Sequence, residues 1–236
     1  MLSESTKKVI NNIPNLNEYI SNHYFGVDGI NSPIDKDLIP TVSKSGIVFS
    51  EAVARNLFNI AEITQDTDCE YSFILLGNVI LKKDGTRGNG AYIEAFFSHN
   101  SNINSRSAEF DAENIKLVDM VSKKSTKYDV MFVCHTHPAK GKYYMNFSLG
   151  DLDGIVRLYE DNPQFLIKDF GEGILTGDRQ PLFAFYDSAG EMVYKFEKYL
   201  VKSVNNLYTF DGFMNRMVNE KYQNEHHTTS SFHHHK

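Results

Sequence analysis

The chain has 236 residues, 41% of them hydrophobic, and a formal net charge of −6. That is ample material for a core, as one large domain with extensions, while the acidic balance argues against a nucleic-acid surface. No run approaches the roughly 18 apolar residues of a membrane span, Met1-Leu2-Ser3-Glu4-Ser5 does not resemble a signal peptide, and two cysteines make no disulfide framework, so a cytoplasmic setting is expected.

Residues 1–49 are rich in Asn, Ile, Pro and Gly, with turn signals at Asn31-Ser32-Pro33 and Ser45-Gly46. They read as an ordered N-terminal extension with a short helix around Leu16 to His23. Ser50 then suits an N-cap for a helix from Glu51 to Thr64, whose stripe is Val53, Leu57, Ile60 and Ala61. Two strands follow, Glu70 to Lys82 and Ala91 to Asn100, joined by a Gly-rich turn over Lys83 to Gly90. That turn has neither phosphate-loop spacing nor a following helix, so no nucleotide role is assigned to it. A helix near Ala112 to Ser122, with Glu109 and Glu113 as ordinary charges at its start, leads to the next strand.

Tyr128-Asp129-Val130-Met131-Phe132-Val133 reads as that strand and runs into Cys134-His135-Thr136-His137-Pro138. Side chains two apart on a strand share a face. His135 and His137 therefore project together, while Cys134 and Thr136 point the other way. Pro138 cannot donate to a ladder and closes the strand. Beyond it, Ser148-Leu149-Gly150-Asp151 precedes a helical stripe of Leu152, Ile155, Val156 and Tyr159. Ser148 and Asp151, three apart, are a capping-type pair when taken alone. With the two histidines upstream, Asp151 instead completes three protein ligands and leaves a fourth position open, the ligand count of a catalytic zinc site. Downstream, Phe165 to Ile167, Pro181 to Tyr186 and Glu191 to Phe196 read as strands, the last two as a hairpin over Asp187 to Gly190. Lys198 to Tyr222 reads as an amphipathic helix striped by Leu200, Val204, Leu207 and Phe210. His226-His227 and His233-His234-His235 fall in a Thr/Ser-rich tail, 224–236, expected to be flexible and without a native metal role. His23 and His99 lie outside any ligand spacing.

His135-Thr136-His137-Pro138 followed by Ser148-Leu149-Gly150-Asp151 resembles the JAMM motif of the JAB/MPN metalloproteases, whose pattern is a glutamate, then H-x-H-P, then S-x-x-D. The glutamate of the family matches Glu70 in Glu70-Tyr71-Ser72-Phe73-Ile74-Leu75-Leu76-Gly77. Two departures are visible: the loop from His137 to Ser148 is longer than in familiar members, and Phe73 stands where the family has glycine. From residue pattern alone Glu94, an acid within the strand-like Ala91 to Phe97, competes with Glu70 as general base; the family context favours Glu70.

Strands interleaved with helices in this order read as an α/β (α+β) fold, a mixed central β-sheet flanked by helices, with the N-terminal extension before residue 50 and a helical region at 198–223 after it; the resemblance implies a JAB/MPN-like (cytidine-deaminase-like) core at 50–197. It implies Zn²⁺ on His135, His137 and Asp151, Glu70 as the acid/base group and Ser148 as an oxyanion donor, a contribution of about 3–4 kcal/mol in other enzymes. The expected activity is amide hydrolysis, as a peptidase or isopeptidase on a protein or peptide substrate such as a ubiquitin-like tail. A homodimer is left open. A non-catalytic JAB-fold interaction module is the alternative, though a scaffold has no use for an open metal position. A zinc deaminase needs H-x-E and P-C-x-x-C, which the chain lacks.

Overall fold

The computed structural model describes residues 46–81, 87–98, 116, 128–138, 146–148, 150–151, 153–154, 157, 160, 169–187, 189 and 191–231. The expected helix at Leu16–His23, the strand at Phe165–Ile167, the Leu152–Tyr159 stripe and all but the helical Lys116 of Ala112–Ser122 lie outside these residues. The described elements are β1 (Gly46–Ser50), α1 (Glu51–Thr67), β2 (Ser72–Leu81), β3 (Arg87–Phe97), β4 (Val130–His137), β5 (Asp169–Thr176), β6 (Pro181–Tyr186), β7 (Met192–Lys195), β8 (Lys198–Lys202), β9 (Leu207–Thr209) and α2 (Phe210–Ser231). The strands form one mixed sheet in the order β7-β6-β5-β4-β2-β3-β1-β8-β9, an α+β arrangement. Among the described residues no helix is long and apolar enough to cross a membrane.

α1 begins where the sequence predicts. Ser50 accepts a hydrogen bond from the Val53 N–H at 3.2 Å, satisfying one of the orphan donors of the first turn. Val53, Ala54, Leu57, Phe58, Ile60, Ala61 and Thr64 are its buried stripe. The helix runs one turn beyond Thr64 because Asp68 takes the left-handed conformation (φ 54°) that ends it. The stripe packs on one face of the sheet, against Phe73, Leu75, Val130, Phe132, Cys134 and Phe183. Phe210 and Phe213 of α2 join the same cluster, with Phe210 5.5 Å from Phe49 of β1 between ring centroids.

Four sequence expectations need correction. β3 starts at Arg87, so Arg87 to Gly90 are strand rather than turn. β5 is not among the strands read from the sequence, and it holds Gly171 and Gly173, residues that weaken a strand pattern. They are there for close approach: a Cβ on Gly173 would lie 2.2 Å from the Phe183 ring and 2.7 Å from Cys134 Sγ, and one on Gly171 2.6 Å from Phe132. The glycines let the Phe132 and Phe183 rings, T-shaped at 5.2 Å, lie over the strand. Residues 198–209 form β8 and β9 rather than the start of a helix, since β8 pairs in parallel with β1 from Gly46↔Lys198 to Ser50↔Lys202. Leu200 and Val201 are buried there, while Val204, a member of the expected helical stripe, is 85% exposed in the turn that joins them. Finally, α2 continues as helical backbone to Ser231, into the segment expected to be a flexible tail.

α1 is tied to two other parts of the chain by charge. Glu62 pairs with Arg179, in the turn after β5, and with Lys221 of α2 at 2.6 Å. The Arg179 guanidinium also lies over the Phe58 ring at 5.1 Å. Burial pushes the Glu62 pKa up, but the hydrogen bonds and charges of Lys221 and Arg179 outweigh it and hold it below the ordinary 4.5. A carboxylate with a depressed folded pKa contributes stability that is present above the unfolded value and lost as pH falls through the folded one. Glu62→Gln should cost about 1–2 kcal/mol at pH 7, a charge-assisted bond discounted for partial exposure. Urea unfolding measured from pH 7 downward should show the wild-type advantage shrinking below about pH 4.5; an advantage independent of pH would exclude this charge pairing as its source.

Candidate metal centre

β4 ends at His137 with alternating faces: Val130, Phe132 and Cys134 join the α1-side core, while His135 and His137 lie on the opposite face. Thr136, between the histidines, is fully buried on the α1 side. Its hydroxyl accepts the Tyr71 N–H at 2.9 Å and is hydrogen-bonded to the Thr64 hydroxyl at 2.7 Å, and its own N–H donates to the Tyr71 carbonyl at 2.9 Å. The middle residue of the H-x-H run thus anchors the strand end to α1 and to the segment entering β2. Cys134 is buried, and desolvation, reinforced by the Glu172 charge, pushes its thiol pKa well above the ordinary range, so it is an inert core residue.

The two imidazoles aim at one point, with Nε2 atoms 2.9 Å apart. His135 Nε2 is 3.6 Å from Asp151 Oδ1. The ligand atoms of His135, His137 and Asp151 all lie within 4.8 Å of one another, a group that could hold a metal ion. Burial lowers the His135 pKa, with Asp151 opposing and His137 assisting, to about 4. The ring is therefore neutral at pH 7, the form in which imidazole ligates.

Asp151 arrives from the other side of a crossover. β4 and β5 run parallel, from Val130↔Asp169 to His137↔Thr176, so the chain between them must pass over a face of the sheet. On that path Gly150, Asp151, Asp153, Gly154, Arg157 and Glu160 are helical. Ser148 and Asp151 form the reciprocal cap: the Ser148 N–H donates to Asp151 Oδ2 at 2.6 Å, and the Asp151 N–H donates to Ser148 Oγ at 3.2 Å. One carboxylate oxygen of Asp151 serves the cap and the other faces His135, so the cap is compatible with Asp151 belonging to the group that could hold a metal ion.

Glu70 enters through strand register. β2 and β4 are antiparallel with Ser72↔His135 paired, and the Tyr71–Thr136 bonds continue that register. One step further sets Glu70 across from His137, on the histidine face. Glu94 sits elsewhere. It is the extra residue of a bulge in β3, where Leu76 pairs with Ala95 and Gly77 with Ile93. Leu76 and Gly77 pair with Met131 and Val130, at the far end of β4 from His137, roughly 20 Å away by strand rise. Glu109 and Glu113, like His23 and His99, lie outside the described residues.

One residue of this face was missed in the sequence. Glu172, between the two glycines of β5, pairs in register with Val133 and shares the face of His135. It is 4% exposed, and its Oε1 lies 4.0 Å from His135 Nδ1. Burial, with the Asp151 charge adding to it, pushes the Glu172 pKa up to about 9. An acid between glycines reads as a loop; only the alternation of a strand would have flagged it. No protein-family model matches the chain, and no curated protein matches its sequence.

Thr136→Val keeps the shape but removes the acceptor for Tyr71 and the partner of Thr64. It should destabilise the fold by about 1–3 kcal/mol, the cost of stranding buried polar groups, in equilibrium urea unfolding. A loss within the ~0.5 kcal/mol of an ordinary surface substitution would mean the anchor is not energetically coupled to the strand end.

Proposed function

We propose that the protein is a zinc-dependent, JAB/MPN-type metallohydrolase that cleaves an amide bond in a protein or peptide substrate. The observation carrying this reading is the convergence of His135 Nε2, His137 Nε2 and Asp151 on one point. Zinc bonds of about 2.0–2.2 Å at the tetrahedral angle separate donor atoms by about 3.3–3.6 Å; the separations at His135 are 2.9 Å and 3.6 Å, and all three donor atoms lie within 4.8 Å of one another, near that range. Two neutral imidazoles with one carboxylate form a zinc-compatible donor set, and three protein ligands are the number a hydrolytic site uses. Zinc, when bound, supplies a Lewis acid and a source of hydroxide at neutral pH.

The chain's own groups have distinct tasks in this reading. The Glu70 carboxylate takes the proton from the water that attacks the scissile carbonyl carbon. It returns that proton to the amide nitrogen as the C–N bond breaks, leaving a carboxylic acid and an amine, which ionise to carboxylate and ammonium. Ser148 Oγ accepts the Asp151 N–H, so its hydroxyl hydrogen remains to donate to the carbonyl oxygen as negative charge develops there. The cap orients that hydroxyl at no additional cost in order. An isopeptide or peptide bond at a ubiquitin-like tail is the substrate class we favour.

Purified protein should contain one zinc per chain by elemental analysis and should cleave ubiquitin-like fusions, read by mass spectrometry, in a chelator-sensitive way. Glu70→Gln should keep its zinc and lose about 10²–10⁴-fold in rate, the span of a general acid/base. His137→Ala should lose the metal itself. A zinc-loaded Glu70→Gln protein with wild-type turnover would remove Glu70 from the mechanism, and a protein without zinc affinity would end the metallohydrolase reading.

A further inference from the structure

We infer that Glu172 is a positioning residue of the metal centre: its carboxylate accepts the Nδ1–H of His135 and so holds the imidazole with Nε2 turned towards His137 and Asp151. The inference rests on the metal-site reading above and adds a residue to it. Three observations outside the ligand set carry it. Glu172 is almost wholly buried, and among the described residues its Oε2 has no hydrogen-bond partner. A buried carboxylate without compensation is costly, so it is retained where a partner or an ion compensates it. Glu172 Oε1 is 4.0 Å from His135 Nδ1, the ring nitrogen left over once Nε2 is committed to the convergence point 2.9 Å from its neighbour. An N–H···O hydrogen bond at about 3 Å needs these two atoms about 1 Å closer, and the inference places them there when the site is loaded. Finally, the flanking glycines belong to the other face, where they accommodate Phe132, Phe183 and Cys134. Glu172 is therefore the side chain that β5 places on the histidine face at this level, between Phe170 and Ile174, both apolar and buried.

A carboxylate behind a ligating imidazole fixes its tautomer and raises its basicity, and loss of such a partner lowers metal affinity by about 10–100-fold. Four forms of the full chain decide the matter: wild type, Glu172→Ala, Glu172→Gln and His135→Ala. Zinc affinity is measured by chelator competition, and the ring nitrogens of His135 are followed by ¹⁵N NMR with and without zinc. Glu172→Ala should bind zinc about 10–100-fold more weakly than wild type, and its Nδ1–H signal should shift or exchange away. Glu172→Gln, which keeps an uncharged acceptor of the same shape, should retain the tautomer with a smaller loss of affinity; it also serves if the alanine variant fails to fold. Wild-type affinity with an unchanged Nδ1–H signal in Glu172→Ala, or wild-type affinity in Glu172→Gln, alongside zinc loss in His135→Ala, would overturn the inference while leaving the metal site standing. A wild-type protein that binds no zinc would sink both.

Discussion

The histidine pair depends on a hydroxyl pointing away from it. Thr136 is buried on the α1 face, where its Oγ1 receives the Tyr71 N–H and meets the Thr64 hydroxyl. Those bonds fix where β4 stands relative to the entry of β2 and the end of α1. A strand's side-chain period is two, so fixing the face of Thr136 fixes the opposite face for His135 and His137. A slip of one residue would send both imidazoles into the aromatic core around Phe132 and Phe183. The polar tie on one side of the sheet thus defines the chemistry available on the other.

The second constraint is topological. Parallel pairing of β4 and β5 obliges the chain to cross the sheet between them. The crossover starts by capping a helix, and a cap places a Ser and an acid three residues apart with their backbone donors satisfied. Asp151 has two carboxylate oxygens and the cap occupies one. Local helix chemistry therefore delivers a preorganised carboxylate over the histidine face, with its rotamer already restrained by the Ser148 N–H.

Which parts of this were legible in the sequence follows from which signals are local. Ser50 and the Val53–Thr64 stripe were readable because capping and 3.6-residue periodicity act within one element. His135 and His137 were readable because strand alternation is equally local. β5 was not: Gly171 and Gly173 have meaning only against Phe132 and Phe183, which other strands supply, and with the strand went Glu172. Lys198 to Thr209 failed differently. Leu200, Val204 and Leu207 sit at helical spacing by coincidence, and the decisive interaction is the parallel partner β1, about 150 residues earlier in the chain. Glu70 against Glu94 was ambiguous in pattern and is separated only by register, since the bulge at Glu94 lies beside the far end of β4.

The electrostatics of the histidine face explain why such a group is unusual as mere packing. Burial drives His135 down to about 4 and Glu172 up to about 9. Both shifts favour the uncharged forms, the ordinary response of ionisable groups deprived of solvent. The sheet could have carried Val and Ile at these positions, as it does at Val133 and Ile174 on the same face, without that penalty. Instead two imidazoles and the side chains of Asp151 and Glu172 meet, with two Nε2 atoms 2.9 Å apart at the point of convergence. A divalent cation there would favour the ionised Glu172 carboxylate against its burial, while the neutral His135 ring is already the ligating form. The same side chains that oppose folding when bare would then stabilise the loaded protein, so the metal and the sheet end should be thermodynamically linked.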